Sequence, residues 1–160
     1  MLIHSSSQLL TLKGGPQRGH ALGTLGIIED GAVVIHDEKI IAVGTTPELK
    51  ASYPDEPTLD ASGCVLMPGF VDPHTHLIWA GDRADEFEKK MSGVPYLDIL
   101  AAGGGIISTV RQTRAASMET LITQSRSRLL RMFIHGTTTA EAKTGYGLQT
   151  ATELRLLKAL

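Results

Sequence analysis

Pro68-Gly69-Phe70-Val71-Asp72-Pro73-His74-Thr75-His76 is the stretch on which the reading of the chain turns. Val65, Leu66 and Met67 lead into it as an apolar run. His74 and His76 are two residues apart, so on an extended strand both rings leave one face. Their Cα atoms then lie roughly 6.7 Å apart, twice the rise of a strand residue. Two imidazole nitrogens on one zinc-like ion need to stand roughly 3.3 Å apart for tetrahedral bonding, and side chains close that gap by leaning together. A bare His-x-His is often only a pair of surface residues. Here Pro68-Gly69 and Asp72-Pro73 punctuate the strand, and Pro73 has no N–H to pair. Regular pairing is expected to fail just before the histidines, and the C-terminal tip of a strand is where a barrel sets its chemistry. The pair reads as half of a metal site.

The surrounding composition is permissive and excludes several classes. The chain has 160 residues, enough for a real core, with 42% hydrophobic but only 4% aromatic residues, so that core is aliphatic. A formal charge of −2 makes no electrostatic case for nucleic acid or an anionic membrane. Cys64 is the only cysteine, which forbids an intrachain disulfide and fits a reducing cytosol. Lying at the start of an apolar run, it is expected to be a buried, inert thiol. Met1-Leu2-Ile3-His4 runs straight into Ser5-Ser6-Ser7 without a signal-peptide pattern. No apolar run approaches a membrane span.

Residues 1–65 read as a small antiparallel β module. Short strands are expected at Leu2-Ile3 and Leu9-Leu10. Gly31-Ala32-Val33-Val34-Ile35 and Lys39-Ile40-Ile41-Ala42-Val43-Gly44 flank a hairpin loop at His36-Asp37-Glu38. Thr46-Pro47-Glu48-Leu49-Lys50 looks like a single capped helical turn, and Asp60-Ala61-Ser62-Gly63 like a turn. After Met67 the pattern changes. A strand ends at His76; helices are expected at Tyr96–Ala102, from Ser108, and from Ser117 to about His135. That last helix carries an apolar face of Leu121, Ile122, Ser125, Leu129 and Met132. Gly136 stops it, Thr137–Ala142 reads as a second strand, and Thr150–Leu160 as a helix with Leu154 and Leu157 inward. Strand, helix, strand, helix implies parallel βα units. Two such units cannot close an eight-unit barrel of roughly 250 residues. The expectation is therefore the N-terminal portion of a longer chain, since a complete small α/β protein would leave a two-stranded sheet with open edges.

These residues resemble the amidohydrolase superfamily, whose first barrel strand ends in His-x-His beside a small β module. Within it, three segments resemble the imidazolonepropionase family of histidine degradation: Tyr96–Ile106; Ser108-Thr109-Val110 with Thr113–Ser117; and Gly136–Leu148. Ala142 and Thr144 stand where that family usually has Val and often has Ser. The implied fold class is α/β: part of a β-sandwich module over residues 1–65, then the first βα units of a metal-dependent (β/α)8 barrel over 66–160.

The resemblance implies hydrolysis of the cyclic amide of 4-imidazolone-5-propanoate to N-formimidoyl-L-glutamate. One zinc or iron ion would lower the pKa of water so that hydroxide forms near neutral pH. His74 and His76 match its first two ligands. Arg83 matches the residue that holds the substrate carboxylate, a task for which a guanidinium's paired donors are suited. Tyr146, flanked by Gly145 and Gly147, matches a substrate-binding tyrosine, and Tyr96 matches another pocket residue, with packing at a helix start as its other reading. No catalytic acid or base is assigned within residues 1–160. The implied partner is the small-molecule substrate, with no nucleic acid and no membrane; a homodimer is the expected full-length assembly, and the cytoplasm its location. This chain alone is expected to be nearly inactive and to bind metal weakly.

Other polar residues carry structural readings. His4, His20 and His36 fall in the β module, His135 at a helix end as a cap, and Gly103-Gly104-Gly105 in a flexible turn beside the pocket. Asp72 either orients a ligand histidine or caps the Pro73 turn. Glu141 and Lys143 are unassigned. Two rival functions remain open at this stage. One is another amidohydrolase, of the cytosine or guanine deaminase or hydantoinase type, which Arg83 and Tyr146 argue against. The other is a non-catalytic remnant or binding module.

Overall fold

A computed structural model describes residues 1–160, which divide into two compact units, Met1–Pro68 and Gly69–Leu160. The first unit holds β1 (Leu2–Leu10), β2 (Ile27–His36), β3 (Lys39–Thr45), α1 (Thr46–Ser52), β4 (Thr58–Asp60) and β5 (Val65–Leu66). The strands form one sheet in the order β3-β2-β1-β4, with β5 also on β1. β2 and β3 make the expected antiparallel hairpin. Its loop is only Asp37-Glu38, both with positive φ (47° and 63°), because His36 still pairs with Lys39; positive φ at both central positions matches the twist of a two-residue hairpin.

Four expectations for this unit are corrected. β1 is one continuous strand, not two short ones. Its polar middle stays in the sheet because those groups find partners: Ser6 Oγ donates to Gly31 O (2.8 Å) and Ser5 N to Thr46 Oγ1 (2.8 Å). A bulge with Ser5 at φ 61° absorbs the irregularity. The sheet is mixed rather than antiparallel, since β4 and β5 both run parallel to β1. The chain returns to β4 through α1, and a crossover delivers a strand parallel. That helix has two turns rather than one, fixed by a Thr45–Glu48 capping box. Cys64 is exposed, not buried: the Asp60–Gly63 turn leaves it at the surface. The core of this unit is Leu2, Ala32, Val34 and Leu49, with Ala42 and Tyr53 against it.

The second unit pairs β6 (Phe70–Thr75) with β7 (Thr137–Ala142) in parallel. Between them lie α2 (Ala84–Met91), α3 (Tyr96–Ala101), α4 (Ile106–Ala115) and α5 (Met118–Ile134); α6 (Thr150–Ala159) follows β7. Ser117 Oγ caps α5 by accepting from Thr120 N (3.1 Å). Gly136, at φ 93°, lets the chain leave α5 and enter β7. The core is Leu77, Ile78, Ala80, Leu121 and Leu156, with Met132, Ala116, Ala142 and Ala159 packed on it. Fully burying each leucine is worth roughly 1.5–3 kcal/mol.

The inward face of α6 is corrected: Leu156 is fully buried, whereas Leu154 and Leu157 are 55% and 59% exposed. Leu129 on α5 is likewise exposed. α5 packs on β7 and α6 on α5, each along a narrow stripe, so neighbouring leucines on each helix stay outside it.

Candidate metal centre

β6 delivers His74 and His76 through an irregular end. Asp72 pairs with Ala140 and Thr75 with Ala142, so three steps on β6 match two on β7. Pro73 donates nothing within that stretch, which is the expected break, and pairing resumes where Lys143 N donates to Thr75 O (2.8 Å). Asp72 Oδ1 accepts from His74 N (3.1 Å), so Asp72 caps the turn. The two rings face each other edge to plane, their centroids 5.5 Å apart. His74 is exposed and His76 half-buried.

The environment of His76 is the informative part. Its Nδ1 is buried and has no hydrogen-bond partner. A buried polar atom without a partner is costly, and a bound cation is one way to satisfy an imidazole nitrogen. No third His, Cys, Asp or Glu joins the pair closely enough to complete a ligand set. The residues thus fit two ligands of a metal centre and no more.

Tyr146 stands beside His76, ring centroids 5.4 Å apart. Gly145 makes this approach possible: a Cβ there would lie 3.0 Å from His76 Cε1, and its φ of 141° disfavours side chains. The loop is held from both sides. Glu153 Oε1 accepts from Gly147 N (2.7 Å) and Leu148 N (2.8 Å), and Arg114 Nε donates to Gly147 O (2.7 Å). Burial alone would raise the Glu153 carboxyl; hydrogen bonds from Thr144 and the loop N–H groups outweigh it and hold the group below the ordinary glutamate range.

Two residues not singled out from sequence complete the neighbourhood. The Trp79 ring lies edge-on to Tyr146 at 6.5 Å, and the Arg128 guanidinium covers Trp79 at 3.6 Å from its centroid. Arg128 is 49 residues from Trp79 in sequence. A lone arginine on a helix carries no local signal of such a contact. Trp79 could have been noticed as the one tryptophan, three residues beyond the histidines.

Arg83 falls in a second cluster, around a cleft that Tyr96 does not line. Arg83 is the exposed N-cap residue of α2 and lines a cleft with Asp82, Asp85, Glu86, Gly103 and Gln112. Tyr96 opens α3, 48% exposed, with Lys90 Nζ 5.1 Å above its ring. Gly103-Gly104-Gly105, expected to be flexible, is tied down: Glu86 Oε1 accepts from Gly105 N (2.8 Å), and Arg111 bonds Gly103 O. Glu141 and Lys143 pair with each other at 2.9 Å. His135 Nδ1 sits 2.7 Å from Arg131 O, a helix-end contact.

Comparison with known proteins fits this geometry. Residues 31–55 match the family model described as "Imidazolonepropionase-like composite domain, bacteria", and 57–105 match the amidohydrolase family model. The chain is 49% identical over 159 residues to the imidazolonepropionase of Herpetosiphon aurantiacus, covering 99% of this chain and 37% of that protein. With the imidazolonepropionase of Chloroflexus aggregans it shares 48% over 162 residues, covering 100% and 38%. The chain thus spans little more than a third of the length of these relatives. Among solved structures, Escherichia coli guanine deaminase superposes with a TM-score of 0.65 at 20% identity, over 99% of this chain and 33% of that one. A zinc complex of atrazine chlorohydrolase from Arthrobacter aurescens gives 0.55 at 19% identity, over 89% and 28%. At such identities the structural likeness speaks for the fold, that of a β module and the opening βα units of an amidohydrolase barrel. Over nearly its whole length, then, the chain is similar to imidazolonepropionases, and residues 57–105 match the amidohydrolase family.

Proposed function

We propose that this chain supplies the first metal-binding and substrate-binding residues of an enzyme that opens the cyclic amide of 4-imidazolone-5-propanoate to N-formimidoyl-L-glutamate. The observation that carries this reading is sequence identity of 45–49% with imidazolonepropionases along essentially the whole chain, joined to a His-x-His at the tip of β6. His74 and His76 would hold one zinc or iron ion, both of which accept imidazole. When bound, such an ion supplies Lewis acidity and a readily deprotonated water.

The remaining roles belong to the chain's own groups. Tyr146, aimed at His76 by Gly145 and the Glu153 clamp, would present its hydroxyl and ring edge to the substrate. Arg83, with no carboxylate within ion-pair distance, keeps its guanidinium available for the propionate. Tyr96 would line the substrate pocket of the full-length enzyme. A cytoplasmic, homodimeric full-length enzyme completes the reading.

The test is turnover by a full-length enzyme that contains this sequence, comparing 4-imidazolone-5-propanoate with guanine and a hydantoin. Preference for the imidazolone, with Arg83→Met raising KM far more than it lowers kcat, is the expected result. Equal or better turnover of guanine or the hydantoin would overturn the assignment.

A further inference from the structure

The segment after His76 leaves the strand with its carbonyls unpaired by any neighbouring strand, and one side chain collects them. Arg128 Nη1 donates to Leu77 O (3.1 Å) and to Trp79 O (2.8 Å), while its Nη2 donates to Gln124 Oε1 (3.3 Å). The central carbon of the same guanidinium sits over the Trp79 indole, 3.6 Å from the ring centroid. Trp79 meets Tyr146, and Tyr146 meets His76. No ion pair includes Arg128. Burial draws its guanidinium below the ordinary arginine value, so the partly buried cation is sustained by carbonyl oxygens and an indole face rather than a carboxylate. Ser125, one turn earlier on α5, also donates to Leu77 O, at 3.4 Å. Thr113 Oγ1 accepts from Ala80 N (3.1 Å).

We propose that Arg128 is a positioning residue for this centre. It fixes the backbone that follows His76 and, through the Trp79 ring, sets Tyr146 against the His76 imidazole. The role needs arginine itself. A planar fork can hold two carbonyls and stack on an indole at once, whereas a lysine is a point charge that can do one or the other. The metal arm of the proposal rests on His74 and His76 being ligands; the packing arm does not.

The experiment uses the 160-residue chain with Arg128→Met, which keeps an unbranched stem without the donors, and Arg128→Lys, which keeps the charge. Proton NMR reads the His76 and Tyr146 ring resonances without metal. Quenching of Trp79, the only tryptophan, reads titration with Ni²⁺, with His76→Ala as the blank. The expected result is displaced His76 and Tyr146 resonances in both variants and a Ni²⁺ dissociation constant raised about tenfold, the usual scale for losing a partner that orients a ligand. Leu130→Ala, on the exposed side of α5, should leave both readouts unchanged. If Arg128→Met does not fold, Arg128→Lys decides on the same readouts. Folded variants with unmoved ring resonances would overturn the proposal. If the parent shows no His76-dependent quenching, the metal reading fails, while the resonances still judge Arg128.

Discussion

At the scale of single residues, the loop beside the histidines is governed by one carboxylate. Glu153 accepts two backbone N–H groups, and its carboxyl is held below the ordinary value near 4.5. A group whose folded pKa is depressed stabilises above its unfolded pKa and loses that contribution as pH falls through the folded value. Glu153→Gln should therefore cost about 1–3 kcal/mol at neutral pH, with the gap to the parent closing below the ordinary glutamate range. Urea unfolding at neutral and acid pH measures this; a gap that persists in acid would contradict it. Gly145→Ala should cost at least ~1 kcal/mol, because it combines an unfavourable φ with a Cβ against His76. Thermal unfolding checks that figure, and an unchanged midpoint would refute it. The glycines around Tyr146 and the His-x-His were legible in the sequence because each signal is local. Arg128 on Trp79 was not, because nothing near residue 128 in the chain encodes a partner 49 residues away.

The elements show the same division between local and distant causes. Caps and punctuation located α5, β7 and the β2–β3 hairpin, since Ser117, Gly136 and the flanking β-branched runs act within a few residues. Strand direction and helix facing depend on what lies across the sheet. β4 and β5 run parallel to β1, and α6 buries Leu156 rather than Leu154 or Leu157. Two leucines at helical spacing define a face, but several faces of α6 are apolar, and only packing on the core selects one. Leu156→Ala should destabilise by roughly 2–5 kcal/mol, as expected for a fully buried leucine. Leu157→Ala should stay within about 0.5 kcal/mol of the parent. Denaturant midpoints of the two variants decide it, and equal losses would return the sequence-based face. Ser117→Ala should cost about 1 kcal/mol through the lost α5 cap, read by the same method.

For the molecule as a whole, the proposed reading makes two histidines and two βα units part of a centre. Metal analysis of the purified 160-residue chain should find weakly held, substoichiometric zinc or iron; tight stoichiometric metal would show that the histidine pair suffices. The fold class and the meeting of the His74 and His76 rings were open to sequence reading because the β6 motif, the hairpin and three further segments agree in order along the chain. The second cluster, with Arg83 beside the tied glycine turn, shows how a pocket edge is built from segments whose meeting only the fold reveals. The central claim is that His74 and His76 hold the ion on which imidazolone hydrolysis depends. Its most direct test replaces the matching 37% of the Herpetosiphon aurantiacus imidazolonepropionase with this chain and measures hydrolysis of 4-imidazolone-5-propanoate by the folded, metal-supplied chimera. The account predicts turnover by the parent chimera and its loss, together with the bound metal, in His74→Ala and His76→Ala. A folded, metal-loaded chimera without turnover, or histidine variants that keep both metal and activity, would contradict it.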